Sequence, residues 1–144
     1  RRGEDVVAKP AIDAVTVADS IATGLPRDRL KAMRAVEQTE GAFVTVSDEQ
    51  ILEVIPALAQ RSGVFAEPAG AAAYAGLVTA ADLGLVAKSD RVVVLSTGSG
   101  LKDVAAARRA AEESGARPVE IPADPGALAG VLAAQGIVPN GGTT

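Results

Sequence analysis

The sequence contains no cysteine and no histidine. Without cysteine there is no disulfide framework and no thiol chemistry. Without histidine, a Ser-His-Asp hydrolase centre and any His-ligated metal site are excluded from this chain, and no metal site is expected. Aromatic residues make up only 2% of the 144 positions. The core must therefore come from small and branched aliphatic side chains, chiefly Ala, Val and Leu, within a hydrophobic fraction of 48%. Apolar runs are broken by Pro, Gly, Glu or Asp well short of the ~20 residues that span a bilayer, and nothing resembles a signal peptide. Nor is there a block of Lys and Arg: 14 basic residues are dispersed among 18 acidic ones, for a net charge of -4. Nucleic acid and membrane are therefore not expected as partners, and a cytoplasmic location is.

What is present is about one domain's worth of chain, enough to bury a core. It opens on Arg1-Arg2-Gly3-Glu4-Asp5, with no Met. Residues 1–15 read as a polar lead-in, either a trimmed terminus or a cut through a longer chain. Residues 16–24 read as a short helix or turn, and Pro26 opens a helix to about Gln38, ended by Thr39-Glu40-Gly41. Ala42 to Val46 is a short β-rich run. Ser47, with Gln50 three residues on, is a capping box that starts a helix whose buried stripe is Ile51, Leu52, Ile55, Leu58 and Ala59. Pro56 falls inside that helix and predicts a kink or a split. Ser62-Gly63 closes it.

Glu67-Pro68 begins an Ala-rich helix to about Leu83, small on almost every side and so expected to be buried; Gly84 ends it. Arg91 to Ser96 is a continuous β-branched run, the mark of a strand covered on both faces. A helix follows from Leu101 to about Ser114. Val119 to Ile121 is a further short strand, and Asp124-Pro125 opens a last helix, ended by Gly136. Residues 137–144 are Gly- and Thr-rich and expected to fray. Strands alternating with helices imply α/β architecture with parallel pairing. Such short strands make a thin sheet, and further strands are expected upstream.

Two segments could carry chemistry. In the first, the run Leu95 to Asp103 passes from a strand through Thr97-Gly98-Ser99-Gly100 into a helix. Ligands of open α/β sheets bind at the carboxyl ends of strands. Gly98 and Gly100 let backbone approach a ligand, and Ser96, Thr97 and Ser99 offer hydroxyls that both donate and accept. The alternative is a plain strand-to-helix turn with glycines for sharpness. The spacing is neither a Walker A loop nor G-x-G-x-x-G, because Asp103 stands where the third Gly would be. In the second segment, Gly63 to Ala72, Glu67 is either an anion at a helix N-terminus or a carboxylate at the edge of a cofactor cleft.

The words TVADSIATGLPRDRLKAM (residues 16–33), VSDEQIL (46–52), GVFAEPAGAAAYAGL (63–77) and STGSGLKD (96–103) resemble the C-terminal portion of threonine synthases. Those are pyridoxal-phosphate enzymes of the tryptophan-synthase-β-like family, fold type II. The resemblance covers about residues 16 to 104. It implies the C-terminal part of a three-layer α/β/α fold with a partial parallel sheet, the whole of 1–144 belonging to one catalytic domain. It also implies that Thr97 is the hydrogen-bond partner of the cofactor's pyridine nitrogen, with Ser96 its rival and Gly98 and Glu67 beside it. The family reaction converts O-phosphohomoserine and water into threonine and phosphate, on a small amino-acid substrate, in enzymes that are commonly dimers. A homodimer is implied for the complete protein.

The family's Schiff-base lysine and phosphate-binding glycine loop lie N-terminal to the matching segment. No catalytic residue is therefore expected in this chain, and the chain alone is expected to be inactive. Among Lys9, Lys31, Lys88 and Lys102, none has the context of that lysine, and Lys102 is read as structural or surface. Two other readings share these residues: a serine/threonine dehydratase-like lyase of the same fold, and a non-catalytic remnant that binds a ligand or a partner.

Overall fold

The computed structural model describes residues 8–116 and 119–136. Its order is a 3-10 turn at Asp19–Ile21, then α1 (Arg29–Gln38), α2 (Asp48–Ser62) and α3 (Pro68–Asp82). A second 3-10 turn at Gly100–Lys102 precedes α4 (Val104–Glu113) and α5 (Pro125–Ala134). The centre is α2, which packs against both α3 and α4.

The helices begin and end where local chemistry says they should. Ser47 Oγ accepts from the Gln50 N–H at 3.2 Å, and Gln50 Oε1 accepts from the Ser47 N–H at 2.8 Å. This reciprocal cap contributes about 1 kcal/mol. Asp48 and Glu49 place negative charge on the first turn of α2 and Arg61 places positive charge on its last, both favourable to the helix dipole. The Glu49 carboxyl is held below its ordinary range by a hydrogen bond to its own backbone N–H, then by the Ser47 side chain. Asp48 also ties the preceding segment down: one carboxylate oxygen accepts from Thr16 Oγ1 and the other from the Val17 N–H at 3.1 Å. Gly63, Gly84, Gly115 and Gly136 all carry positive φ after their helices, where a Cβ would be strained. At the end of α1 the left-handed residue is Glu40, φ 54, within the expected Thr39-Glu40-Gly41 stop.

The buried stripe of α2 is Ile51, Leu52, Val54, Ile55 and Leu58, the expected face plus Val54; Ala59 is only half-buried. Facing it, α3 buries Ala69, Ala71, Ala75 and Ala80. Alanines there let the two backbones approach closely. The expected burial of α3 on several sides is met on one face, since Ala73 and Val78 are exposed. Ala18, Ala66 and Ala110 complete the core.

Pro56 neither splits nor ends α2, which runs through it. Without an N–H, Pro56 leaves the Leu52 carbonyl short of its usual donor four residues on. Buried residues on both sides of Pro56 keep the helix continuous across that gap. Replacing Pro56 with Ala should raise stability by about 1–2 kcal/mol, less than the ~3 kcal/mol of an unsupported helical proline because some ring packing is lost. Urea unfolding measures this; an unchanged or lowered midpoint would mean that the ring's packing outweighs the missing bond.

The expected strands differ from the structure. Among the described residues no β-ladder forms, and 42–46, 91–96 and 119–121 run as unpaired segments. The recorded pairing is an isolated antiparallel bridge between Ala66 and Ser99. A strand exists through the hydrogen bonds of a neighbour, and no described segment pairs with these in a ladder. Val93 and Leu95 are 84% and 72% exposed, opposite to what a strand covered on both faces requires. The expected helix from Leu101 is divided: the 3-10 turn ends at Lys102, and Asp103 then caps α4 by accepting from the Ala106 N–H at 3.0 Å. Residues 8–15 of the lead-in are exposed; residues 1–7 and the tail 137–144 lie outside the described residues. No described helix is long and apolar enough to cross a membrane.

Candidate cofactor site

The glycine loop is docked on the start of α3. The Glu67 N–H donates to the Gly98 carbonyl at 3.1 Å, and the Gly100 N–H donates to the Phe65 carbonyl at 2.9 Å. These two bonds clamp residues 98–100 against 65–67. Close packing explains the glycines. A Cβ on Gly98 would lie 1.8 Å from Glu67 Oε1, and one on Gly100 about 2.5 Å from the Phe65 ring. On the other side of the contact, a Cβ on Gly70 would lie 2.9 Å from the Gly98 carbonyl oxygen and 3.3 Å from Ser96 Oγ. Glycine on both sides of the contact is what lets the loop sit this close to the helix.

Glu67 is the buried charged residue of the described core. Burying a carboxylate is costly unless it is paired and hydrogen-bonded. Lys102 supplies the pairing, with Nζ 3.2 Å from Glu67 Oε2 and 3.4 Å from Oε1. The same ammonium donates to Ser20 Oγ at 2.6 Å, and the single Ser20 hydroxyl proton is shared between Asp19 Oδ1 at 3.1 Å and Glu67 Oε2 at 3.4 Å. Lys102 reaches back because the 3-10 turn after the loop folds it over Glu67; Ser99 Oγ caps that turn by accepting from the Leu101 N–H at 3.3 Å.

Of the residues singled out in the sequence, Glu67 and Gly98 are in direct contact and Ser96 stands beside the first turn of α3. Thr97 and Ser96 are exposed residues, and Ser96 Oγ faces Gly70, 3.3 Å from where a Cβ there would stand. Ser20 and the link from Lys102 to Glu67 were not anticipated. The signal available was that ADS and GLKD both fall inside the resembling words. A cavity of about 540 Å³ lined by Met33, Val36, Phe43 and Leu85 shares no residue with the loop, so the candidate site rests on side-chain chemistry. Among the described residues no group of acidic residues could hold a metal ion.

Residues 1–98 match the family described as pyridoxal-phosphate dependent enzyme. The chain belongs to that family. It is similar to the threonine synthase of Methanocaldococcus jannaschii, 36% identical over 132 residues, which is 92% of this chain and 31% of the relative. The threonine synthase of Mycobacterium tuberculosis is 43% identical over 98 residues, 68% of this chain and 27% of the relative. A Bacillus threonine synthase is 42% identical over 88 residues, 61% and 25%. The chain thus spans under a third of the length of these relatives. Pyridoxal phosphate is the cofactor of the family, which fits the loop: an exposed threonine on a glycine-lined backbone suits the edge of a planar heteroaromatic ring.

Proposed function

We propose that the chain is the C-terminal part of a threonine synthase, acting on O-phosphohomoserine and water to give threonine and phosphate. The observation that carries this is the similarity to relatives named threonine synthase across most of the chain. On this reading the chain belongs to a partial parallel sheet in a three-layer α/β/α domain, in a cytoplasmic homodimer. The 144 residues alone are inactive.

Pyridoxal phosphate, when bound, supplies the electron-withdrawing ring that drains charge from the substrate carbon under attack. The task of this chain is to set the environment of the ring. On this reading Thr97 is the partner of the ring nitrogen, and the Glu67-to-Gly98 backbone bond that holds the next residue supports it. A neutral hydroxyl there leaves the nitrogen largely unprotonated, which favours elimination and replacement chemistry over other outcomes. Gly98 brings its backbone to the ring while the Glu67 carboxylate fills its Cβ side from behind the loop, and Ser96 is the second hydroxyl.

The test compares Thr97→Val, Ser96→Ala and Thr97→Asp in the protein as its natural gene encodes it. Thr97→Val should weaken cofactor binding by about 1 kcal/mol, the value of one hydrogen bond, and shift the cofactor's absorbance. Thr97→Asp should depress threonine formation further, because a carboxylate favours a protonated ring. A response to Ser96→Ala with none to Thr97→Val would make Ser96 the ring partner. Deamination of serine or threonine without phosphate release from O-phosphohomoserine would replace the threonine synthase reading with a dehydratase.

A further inference from the structure

We propose that Lys102 is a positioning residue that latches the glycine loop and cancels the charge of Glu67 behind it, keeping that charge from the cofactor ring. The proposal rests on the reading of Thr97 as a partner of the ring. Three observations carry it. Lys102 is the recorded ion-pair partner of Glu67, whose side chain is only 6% exposed. The Glu67 carboxylate presses on Gly98, on the side where a Cβ would stand. Gly98 follows Thr97 directly, and consecutive Cα atoms are only ~3.8 Å apart. Whatever charge Glu67 carries is therefore felt at the position where Thr97 meets the ring.

The latch closes a circuit through residues far apart in sequence. Lys102 is 35 positions from Glu67 and 82 from Ser20. The Glu67 N–H holds Gly98, the Gly100 N–H holds Phe65, and the Lys102 ammonium returns from the following turn onto the Glu67 side chain. Remove the ammonium and two things follow. A nearly buried carboxylate loses its partner, so it must seek water and loosen the 65–67 segment. If it stays, an uncompensated anion stands one residue from the ring nitrogen and favours its protonation. The positive charge is what the task requires, and the Lys102 ammonium brings it to Glu67 and Ser20 together.

The experiment uses the protein as its natural gene encodes it, with Lys102→Met, Lys102→Arg, Glu67→Gln and the double variant Glu67→Gln/Lys102→Met. The first readout is amide hydrogen exchange at Glu67 and Gly100, which needs no cofactor. Lys102→Met should speed exchange there about tenfold, with Lys102→Arg close to wild type. The second is the nitrogen-15 shift of the ring nitrogen in bound, labelled pyridoxal phosphate. It should move toward the protonated value in Lys102→Met and return in the double variant, where the neutral amide has no charge to expose. A merely structural lysine would not move the ring signal. Unchanged exchange overturns the latch, and a ring signal that stays put in Lys102→Met overturns the charge-cancelling role. A wild-type protein that takes up no pyridoxal phosphate sinks the functional reading instead and removes the charge-cancelling role with it, while the exchange result alone decides the latch.

Discussion

Replacing Gly98 with Ala should cost about 2–3 kcal/mol of stability and lower pyridoxal-phosphate affinity at least about tenfold. No unusual backbone angle is involved, because Gly98 is not among the positive-φ residues. The cost is steric. A Cβ at 98 would lie 1.8 Å from Glu67 Oε1, 2.5 Å from its Cδ and 2.8 Å from its Cγ. Exposed glutamates swing away from such a clash at little cost, but this one is buried and held by Lys102 and Ser20. One of two moves must follow. Either the carboxylate leaves its ammonium, which costs several kcal/mol for a fully buried pair and less here because Lys102 reaches solvent. Or the loop lifts, giving up the Glu67-to-Gly98 and Gly100-to-Phe65 backbone bonds at about 1 kcal/mol each. Both moves displace Thr97, and a displacement near 1 Å is enough to spoil a positioned contact. The check is a double-mutant cycle with Glu67→Ala, followed by urea unfolding and cofactor titration. With the Glu67 side chain gone, Gly98→Ala should become nearly silent in stability. If it costs as much in that background as alone, Glu67 is not the obstacle.

That clash shows where sequence reading reaches and where it stops. The helices were legible because their signals are local: a capping box spans four residues, a C-terminal glycine one, and Asp124-Pro125 two. Ser47 and Gln50, Gly63, Gly84 and Asp124 all do in the structure what their types demand. The β-branched runs were legible as composition but not as strands. Val92-Val93-Val94 declares a preference for an extended, half-buried surface, whereas a ladder depends on partners that no local pattern reveals. The site divides in the same way. Thr97, Gly98 and Glu67 stand out by type and by the words that contain them, and Glu67 does meet Gly98. Ser20 and Lys102 join only across 82 positions. Nothing in a solvent-compatible lysine after a glycine turn announces a buried glutamate as its target. The tie from Asp48 back to Thr16 and Val17 was hidden for the same reason, since Asp48 is already accounted for by the dipole of its own helix.

Truncating Leu52 to Ala should lower stability by about 3 kcal/mol, within the 2–5 kcal/mol seen for buried Leu-to-Ala changes. Leu52 is 1% exposed and is the largest fully buried side chain among the described residues. The core cluster to which it belongs holds, apart from residues of α2 itself, only alanines: Ala69, Ala71 and Ala75 on α3, with Ala18, Ala66 and Ala110. Alanines have no rotamers with which to close over a void, so the site collapses poorly and the cavity penalty stays near its full value. Such a loss is a large share of the ~5–15 kcal/mol that keeps an ordinary domain folded. Leu52→Met conserves volume and should cost under about 1.5 kcal/mol. The same substitution bears on the site, because α2 is the element on which α3 is seated and α3 carries Glu67 at its start. Leu52→Ala should therefore also speed amide exchange at Glu67 and Gly100, although neither residue belongs to α2. Urea midpoints measure the first effect and exchange rates the second. A Leu52→Ala protein that loses stability while exchange at the loop stays at the wild-type rate would show that the seat of α3 is held by something other than α2.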